Sequence, residues 1–486
     1  MTRLYPALLA ALLAAWLVLL PNALGRLRRR LKSARPGTGF LLLLLVAGAL
    51  ALRLAAPSRH LVYYDEFDQL DNARRLAATG VNARTLAGGL PGFDVFGPMP
   101  WPAGHPVALA TVFRLFEDAT AVAFAWSASL SALTVLLVFW AALEMHGDER
   151  GALAAAFLWT VSPLALRYAG ASDSTTASLF WCAAAFAALA ARESEPGPAL
   201  DAFAALSLAY AVQVRFENAL LIVYAAFAVR RRTLILPAAF GFVFPAAIAW
   251  ADHLATLPGL TPSSFAPWTN FLRQAPENLA YLAAPISLGL IAAPAGLASL
   301  RRAPARRLAL LAAALFVLYA CYYHGAFAKD TDDRYYLSML LPLSLAAAPA
   351  LSAAAIPAAL LMAGLAWRSA PGAAPEHQAS LDFLARSAPL IPERAYVLAF
   401  NPPFVREAAA RPSAWIELPV EDPAAFERGR AAAGAAPEMV LYEDWAWRAR
   451  PEEASRLESV LRERYDERPL AGDGPDALIL LTPRGK

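Results

Sequence analysis

Charge is scarce in this chain. Only 17% of its 486 residues are Asp, Glu, Lys or Arg, while 58% are hydrophobic. A soluble globular domain carries about 25% charged residues. The deficit excludes an ordinary soluble fold and points to a polytopic membrane protein. Cysteine is scarcer still. Cys182 and Cys321 both fall inside apolar segments, so neither a disulfide framework nor a thiolate metal site is expected, and both read as small core residues. Histidine offers no metal site either: His60, His105, His253 and His324 share one side of the layout below without ligand-like spacing. A net charge of +3 says little by itself, because distribution matters more than the sum. No nucleic-acid partner is expected. What is plentiful is alanine and proline, 38 of the latter, a composition that suits a GC-rich bacterial source.

The apolar runs suggest about 12 spans, at 4–24, 38–57, 121–143, 150–168, 173–192, 199–214, 216–231, 233–252, 281–300, 307–323, 335–350 and 352–370. The first is longer than a signal-peptide core and lacks a small-x-small cleavage site, so it reads as a span. Several others are shorter than the ~20 residues that cross a bilayer, and the pair around Gln213–Glu217 reads as a bend inside the membrane. Basic residues set the orientation. Arg26, Arg28, Arg29, Arg30, Lys32 and Arg35 fill one connector, Arg230–Arg232 a second, and Arg301, Arg302, Arg306 and Arg307 a third. All three share a side, which the positive-inside rule makes cytoplasmic. The loop 58–120, the loops near 170, 253–280 and 324–334, and the C-terminus then lie outside, as does the N-terminus by parity.

The loop 58–120 is too long for a turn. Residues 66–79 read as a helix, with Asp71 poised to pair with Arg75. Gly88-Gly89 and Pro91-Gly92 break the chain. Residues 105–116 read as a short amphipathic helix lying at the interface. After Pro371 charge becomes frequent and helices alternate with strands at 394–400, 438–442 and 476–482. This is a small α/β domain, so the domains are 1–370 in the membrane and 371–486 outside it. It has no Gly-rich phosphate loop. Trp445 and Trp447 either touch a glycan or membrane surface or pack at the domain edge, and packing is favoured.

Ionisable groups in or at the mouth of a helix bundle are functional candidates by default. Residues 65–71 hold four carboxylates, Asp65, Glu66, Asp68 and Asp71, just after the second span. Asp65 is either a general base or a cap for the helix that follows, with Asp68 in its first turn. Asp173, in Ser172-Asp173-Ser174-Thr175, is either an outer-loop carboxylate or an N-cap. Arg215 either pairs with Glu217 or holds a phosphate, which guanidinium geometry suits. The run Lys329, Asp330, Asp332, Asp333, Arg334, Tyr335 and Tyr336 reads as a mostly solvated loop, compatible with a divalent cation. Arg334 and Tyr335 stand closest to where a lipid phosphate would lie.

Taken in order, these pieces resemble the GT-C superfamily of membrane glycosyltransferases, above all the branch of protein O-mannosyltransferases and lipid A aminoarabinose transferases. The resemblance covers roughly residues 38–350. It runs from Asp65-Glu66 through HPVALATVFRLFEDATAVAFAWSASLSALTVLLVFW, LWTVSPLALRYAGASDSTTASLFW and QVRFENALL to DRYYLSMLLPLSLA. An extra N-terminal span and Phe216 in place of a frequent Pro depart from the pattern.

The resemblance implies a GT-C-like bundle that transfers a sugar from a polyprenyl-phosphate donor to a glycan, lipid or protein acceptor, on the outer face of the inner membrane. It implies Asp65 as catalytic base, Glu66 in support, and Asp173 as the second outer carboxylate. Arg215 and Arg334 neutralise the lipid phosphate, and Tyr335, Glu217 and Tyr64 complete the substrate-binding set. The phosphate is already a good leaving group, so cations at that end and one base at the acceptor suffice for a single inverting displacement. No cofactor is implied. Two rivals are a flippase for lipid-linked sugars, which would place polar groups or broken helices near the midplane in both halves, and a noncatalytic assembly protein.

Overall fold

The structure is a computed structural model that describes residues 3–97, 99, 101–228, 267–322, 325–329, 331–368, 376–444, 447, 451–473 and 476–484. The expected span 233–252, His253, His324, Asp330, Trp445 and the side chain of Tyr64 lie outside the described set. The chain divides into two compact units, Met1–Leu61 with Ala73–Val81 and Pro100–Gly372, and Val62–Asn72 with Asn82–Met99 and Ala373–Lys486.

The first unit is helical. It holds α1 (Leu4–Lys32), α2 (Thr38–Ala55), the second half of α3 (Tyr63–Thr79), α4 (Gly104–Leu115), α5 (Thr120–His146), α6 (Glu149–Val161), α7 (Pro163–Ala169), α8 (Ser174–Ser194) and α9 (Pro198–Val214). Then come α10 (Leu220–Ala228), α11 (Pro267–Leu282), α12 (Gly289–Ala298), α13 (Ala303–Cys321), α14 (Arg334–Ala353) and α15 (Ala355–Arg368). Among the described residues six helices are long and apolar enough to span a bilayer: α1, α2, α5, α8, α13 and α14. The bent pair α6–α7 makes a seventh if counted as one span. Among the described residues the expected count of about 12 is not confirmed; α9, α10 and α12 are apolar but shorter than a full span.

The expected span 281–300 is a correction. Pro285 opens a 3-10 turn over Pro285–Ser287, Leu288 takes φ 54°, and a helix restarts only at Gly289. Residues 267–282, expected in a loop, are the helix α11. Its polar face is turned inward. Asn270 donates to Cys321 O, Gln274 to Tyr322 O (2.9 Å) and Asn278 to Gly325 O (2.9 Å), while Phe327 N–H donates to Asn278 Oδ1 (2.8 Å). Trp268, Leu272 and Leu279 are exposed on the other face.

α8 is the centre of the bundle, packed by α5 and α9. Its run of buried alanines, Ala183–Ala185, Ala187, Ala188, Ala190 and Ala191, lets neighbouring backbones approach closely. Between α6 and α7 the axis bends by 56°. Pro163 disfavours the helical conformation at Ser162, and Ser162 Oγ instead accepts from Ala165 N–H to start α7. The freed carbonyls of α6 are taken by a buried arginine. Arg53 of α2, 1% exposed, donates to Trp159 O (3.0 Å), Thr160 O (3.3 Å) and Ser131 Oγ (2.6 Å). A cation at a helix C-terminus is favoured by the helix dipole, and it satisfies two of the carbonyls that the break leaves open.

α1, the N-terminal helix, lies along α9. Trp16 stacks on Phe203 (5.0 Å) and meets Trp181 edge-on (4.8 Å). At its basic end Arg26 and Arg30 hold the enclosed Glu144 of α5 at 3.0 and 3.2 Å. α4 is buried along most of its length.

The second unit is a seven-stranded mixed sheet of order β2-β1-β4-β3-β5-β7-β6. Its strands are β1 (Arg84–Gly88), β2 (Val95–Gly97), β3 (Tyr396–Ala399), β4 (Ser413–Trp415), β5 (Met439–Glu443), β6 (Tyr465–Asp473) and β7 (Asp476–Pro483). β3 pairs parallel with β4 and β5, and the other ladders are antiparallel. The α/β region therefore is not confined to 371–486. The hairpin β1–β2 and the first half of α3 join it, with Ala87 opposite Ala414. Gly89, at φ 102°, passes so close to Pro412 that a Cβ would lie 2.8 Å from its Cα. Phe67 anchors α3 edge-on against Phe404 at 4.9 Å. Trp447 is buried beside Phe400, so the packing reading of that residue holds.

Candidate active site

In the first unit, five of the residues singled out from sequence form one connected network. α9 ends at Val214, and Arg215 turns extended at φ −149°, ψ 132°. Buried Asn218 holds this turn, donating to Ala211 O and Ser178 Oγ, both at 2.8 Å. Arg215 pairs with Glu217 through Nε at 2.5 Å, and its Nη1 donates to Thr175 Oγ1 at 3.3 Å. Thr175 in turn donates to Asp173 Oδ2. The ring of Tyr335, in the first turn of α14, faces two guanidiniums, with Cζ of Arg215 and Cζ of Arg334 each 5.1 Å from its centroid. Arg334 Nη2 also donates to the Tyr335 hydroxyl (3.2 Å).

Both open sequence alternatives are thereby sharpened. Asp173 occupies the N-cap position of α8 but makes no capping bond with its side chain. Its carboxylate is turned toward Thr175 instead. Arg215 is paired with Glu217, yet it also stands over an aromatic face, an arrangement that suits a delocalised cation. The run 332–336 is not a solvated loop, for Asp332 through Tyr336 are all buried. Arg167 Nη1 (2.8 Å) and the Tyr168 hydroxyl both donate to Asp333. Burial pushes the Asp333 carboxyl up, against the pull of Arg167 and the Tyr168 hydrogen bond.

The start of α4 ties the two turns of this network. His105 Nε2 bonds Ser172 O at 3.0 Å, next to Asp173. Tyr210 donates to Gly104 O at 2.8 Å, and a Cβ on Gly104 would sit 2.4 Å from Gln213 O. Sequence reasoning passed over Gly104; its only local sign was a glycine opening an otherwise apolar helix. Glu217, the partner of Arg215, stands on the wall of a narrow apolar cleft lined by Phe186, Leu221, Leu311, Leu315, Leu341 and Pro342.

In the second unit the four carboxylates have distinct environments. Asp65 and Glu66 lie in the first turn of α3. Asp65 is half-buried, while Glu66 is fully buried and accepts from Val62 N–H at 3.1 Å. Glu66 thus satisfies a backbone amide at the helix start. Asp68 pairs with Arg84 at 3.0 Å, and Arg84 lies 4.3 Å over the Trp415 ring. Burial pushes the Asp68 carboxyl up to about 6, against the pull of Arg84. Asp71 accepts from Arg406 (2.7 Å) and from Thr85 (2.7 Å). Arg406 is thus the partner shown for Asp71, where the sequence suggested Arg75. Among the described residues no group of three His, Cys, Asp or Glu is placed to hold a metal ion.

No protein-family model and no curated protein sequence matches this chain. Solved structures do. ArnT from Cupriavidus metallidurans bound to undecaprenyl phosphate superposes with TM-score 0.57 at 13% identity, covering 91% of this chain and 98% of that one. The oligosaccharyltransferase AglB from Archaeoglobus fulgidus, in complex with an inhibitory peptide and a dolichol-phosphate, gives 0.55 at 13% identity over 91% and 74%. An Archaeoglobus fulgidus oligosaccharyltransferase tethered with an acceptor peptide gives 0.54 at 13% identity over 90% and 73%. The chain therefore shares the fold of these solved structures.

Proposed function

We propose that this chain is a membrane glycosyltransferase that moves a sugar from a polyprenyl-phosphate donor to an acceptor on the outer face of the inner membrane. The observation that carries the reading is the pair of guanidiniums, Arg215 and Arg334, at one tyrosine ring. Two arginines this close repel each other, and an anion lowers that cost. A phosphate would displace Glu217 from Arg215 and bring Arg334 to its other side. The apolar cleft beside Glu217 gives the lipid chain an apolar wall. Fold neighbours bound to undecaprenyl phosphate and dolichol-phosphate support a lipid-linked donor.

In this reading the acceptor hydroxyl or amine gives its proton to Asp65 and attacks the anomeric carbon. The bond from that carbon to the phosphate oxygen breaks, and its electron pair leaves with the polyprenyl phosphate. Attack from the face opposite the leaving group inverts the anomeric centre. Asp65 enters through its motif, Asp173 orients acceptor or donor through Thr175, and Glu66 supports the Asp65 turn. Tyr335, Glu217 and Tyr64 complete the donor-binding set.

The test is turnover. Purified full-length protein is incubated with a panel of polyprenyl-phosphate sugars and acceptors, and release of free polyprenyl phosphate is followed. Release with one donor, lost in Asp65→Asn while donor binding persists, is the expected result. Full activity in Asp65→Asn would sink the assignment. Binding without turnover for every donor would favour the flippase. The bend at α6–α7 is the feature a flippase would use, but its carbonyls are already occupied by Arg53.

A further inference from the structure

The end of α9 is held by an element that the sequence marked as additional. Gln213, 2% exposed, lies two residues before Arg215. The Tyr5 hydroxyl, from the first turn of α1, donates to Gln213 Oε1 at 2.6 Å. The Gln213 amide nitrogen has no hydrogen-bond partner among the described residues, so the side chain depends on Tyr5.

This bond is the last of three along one stripe of α9. Trp16 Nε1 donates to Ser207 Oγ (2.8 Å), Tyr210 donates to Gly104 O (2.8 Å), and Tyr5 donates to Gln213. Residues three apart share a helix face, so positions 207, 210 and 213 are pinned in series by α1 and α4. The Gly104 backbone also approaches Gln213 O too closely for any side chain. Past Val214 the helix stops, and Arg215 is extended. A small rotation of the last turn of α9 would therefore carry the guanidinium away from Tyr335.

We propose that Tyr5 and Gln213 are positioning residues for Arg215: the hydrogen bond from the N-terminal helix sets the last turn of α9, and with it the place where Arg215 meets an anionic lipid headgroup. Neither residue touches the reacting atoms. The inference rests on the lipid-phosphate reading above.

The test uses the full chain in detergent, with undecaprenyl phosphate and the uncharged polyprenol of equal length as probes. Affinity for each is measured alongside the thermal midpoint. Arg215→Gln reports on the phosphate reading itself and should abolish the preference for phosphate over alcohol. Tyr5→Phe keeps the ring and loses only the hydroxyl. It should weaken phosphate-lipid binding by about threefold to tenfold and leave polyprenol binding unchanged. Gln213→Met, which removes both the bond and the stranded nitrogen, should repeat that loss. Ser207→Ala breaks the equivalent bond two turns away and should not. Wild-type preference for phosphate in Tyr5→Phe overturns the positioning role while the phosphate reading stands. Equal losses for phosphate and alcohol also overturn it, because they report general loosening. If Arg215→Gln behaves as wild type, the phosphate reading and the inference fall together.

Discussion

Arg215 lies with its guanidinium carbon 5.1 Å from the ring centroid of Tyr335. Each cation–π contact is worth about 0.5–2 kcal/mol, depending on desolvation. Tyr335→Leu removes the platform for both arginines and should weaken polyprenyl-phosphate binding about tenfold or more. Tyr335→Phe keeps the ring, loses only the bond from Arg334, and should cost about threefold. Titration of lipid phosphate into each variant checks the order. Equal losses in the two would refute the ring's role.

Asp65 and Glu66 are neighbours with opposite expected phenotypes. Asp65 is half-buried, so Asp65→Asn should leave the melting midpoint unchanged while lowering turnover about 10²–10⁴-fold, the usual worth of a general base. Glu66 is fully buried and holds the Val62 amide. Glu66→Ala strands that amide and should destabilise the fold by about 1–3 kcal/mol. Thermal melts and turnover on the same two preparations separate these outcomes.

The Asp68 carboxyl gives a pH signature to stability. Burial raises it from the usual 3.8 to about 6, against Arg84. The folded chain then holds this proton to higher pH than the unfolded chain. Stability from this group is complete below pH 3.8 and is lost as pH rises through about 6. The amount is on the order of 3 kcal/mol. Asp68→Asn should remove the slope. Melting midpoints of wild type and variant across this window should diverge as pH rises, with the wild type falling relative to the variant; parallel curves would contradict the assignment.

Asn278 supplies two buried bonds to the segment that leads into α14, one to Gly325 O and one from Phe327 N–H. Asn278→Ala strands both backbone groups, at about 1–3 kcal/mol each. Hydrogen exchange at Phe327 should rise sharply. Unchanged protection there would show that the carboxamide is dispensable.

What the sequence revealed, and what it hid, follow from the range of the contacts. Long apolar helices such as α5 and α8 were legible because their hydropathy is local. Asp173, Arg215, Glu217, Arg334 and Tyr335 were legible as charged or aromatic residues at helix ends. The sheet was only half legible. β3, β5 and β7 are apolar and regular, but β1 is five residues long and pairs with β4 more than 300 positions away. β6 is charged and carries a proline, and reads as loop. Asp333 looked solvated because its partners, Arg167 and Tyr168, are 166 and 165 positions away. Arg53 escaped notice because an arginine at the end of an apolar run usually reaches water.

That arginine bears on how the protein is made. An arginine in an apolar span opposes insertion by up to about 3 kcal/mol. The carbonyls that receive Arg53 belong to residues 106 and 107 positions downstream, so they do not exist when α2 first leaves the ribosome. A newly inserted α2 must hold its guanidinium near the lipid headgroups until the α6–α7 segment arrives. Its final depth is thus set late in translation, and a ribosome stalled before Thr160 would leave this span in a shallower position.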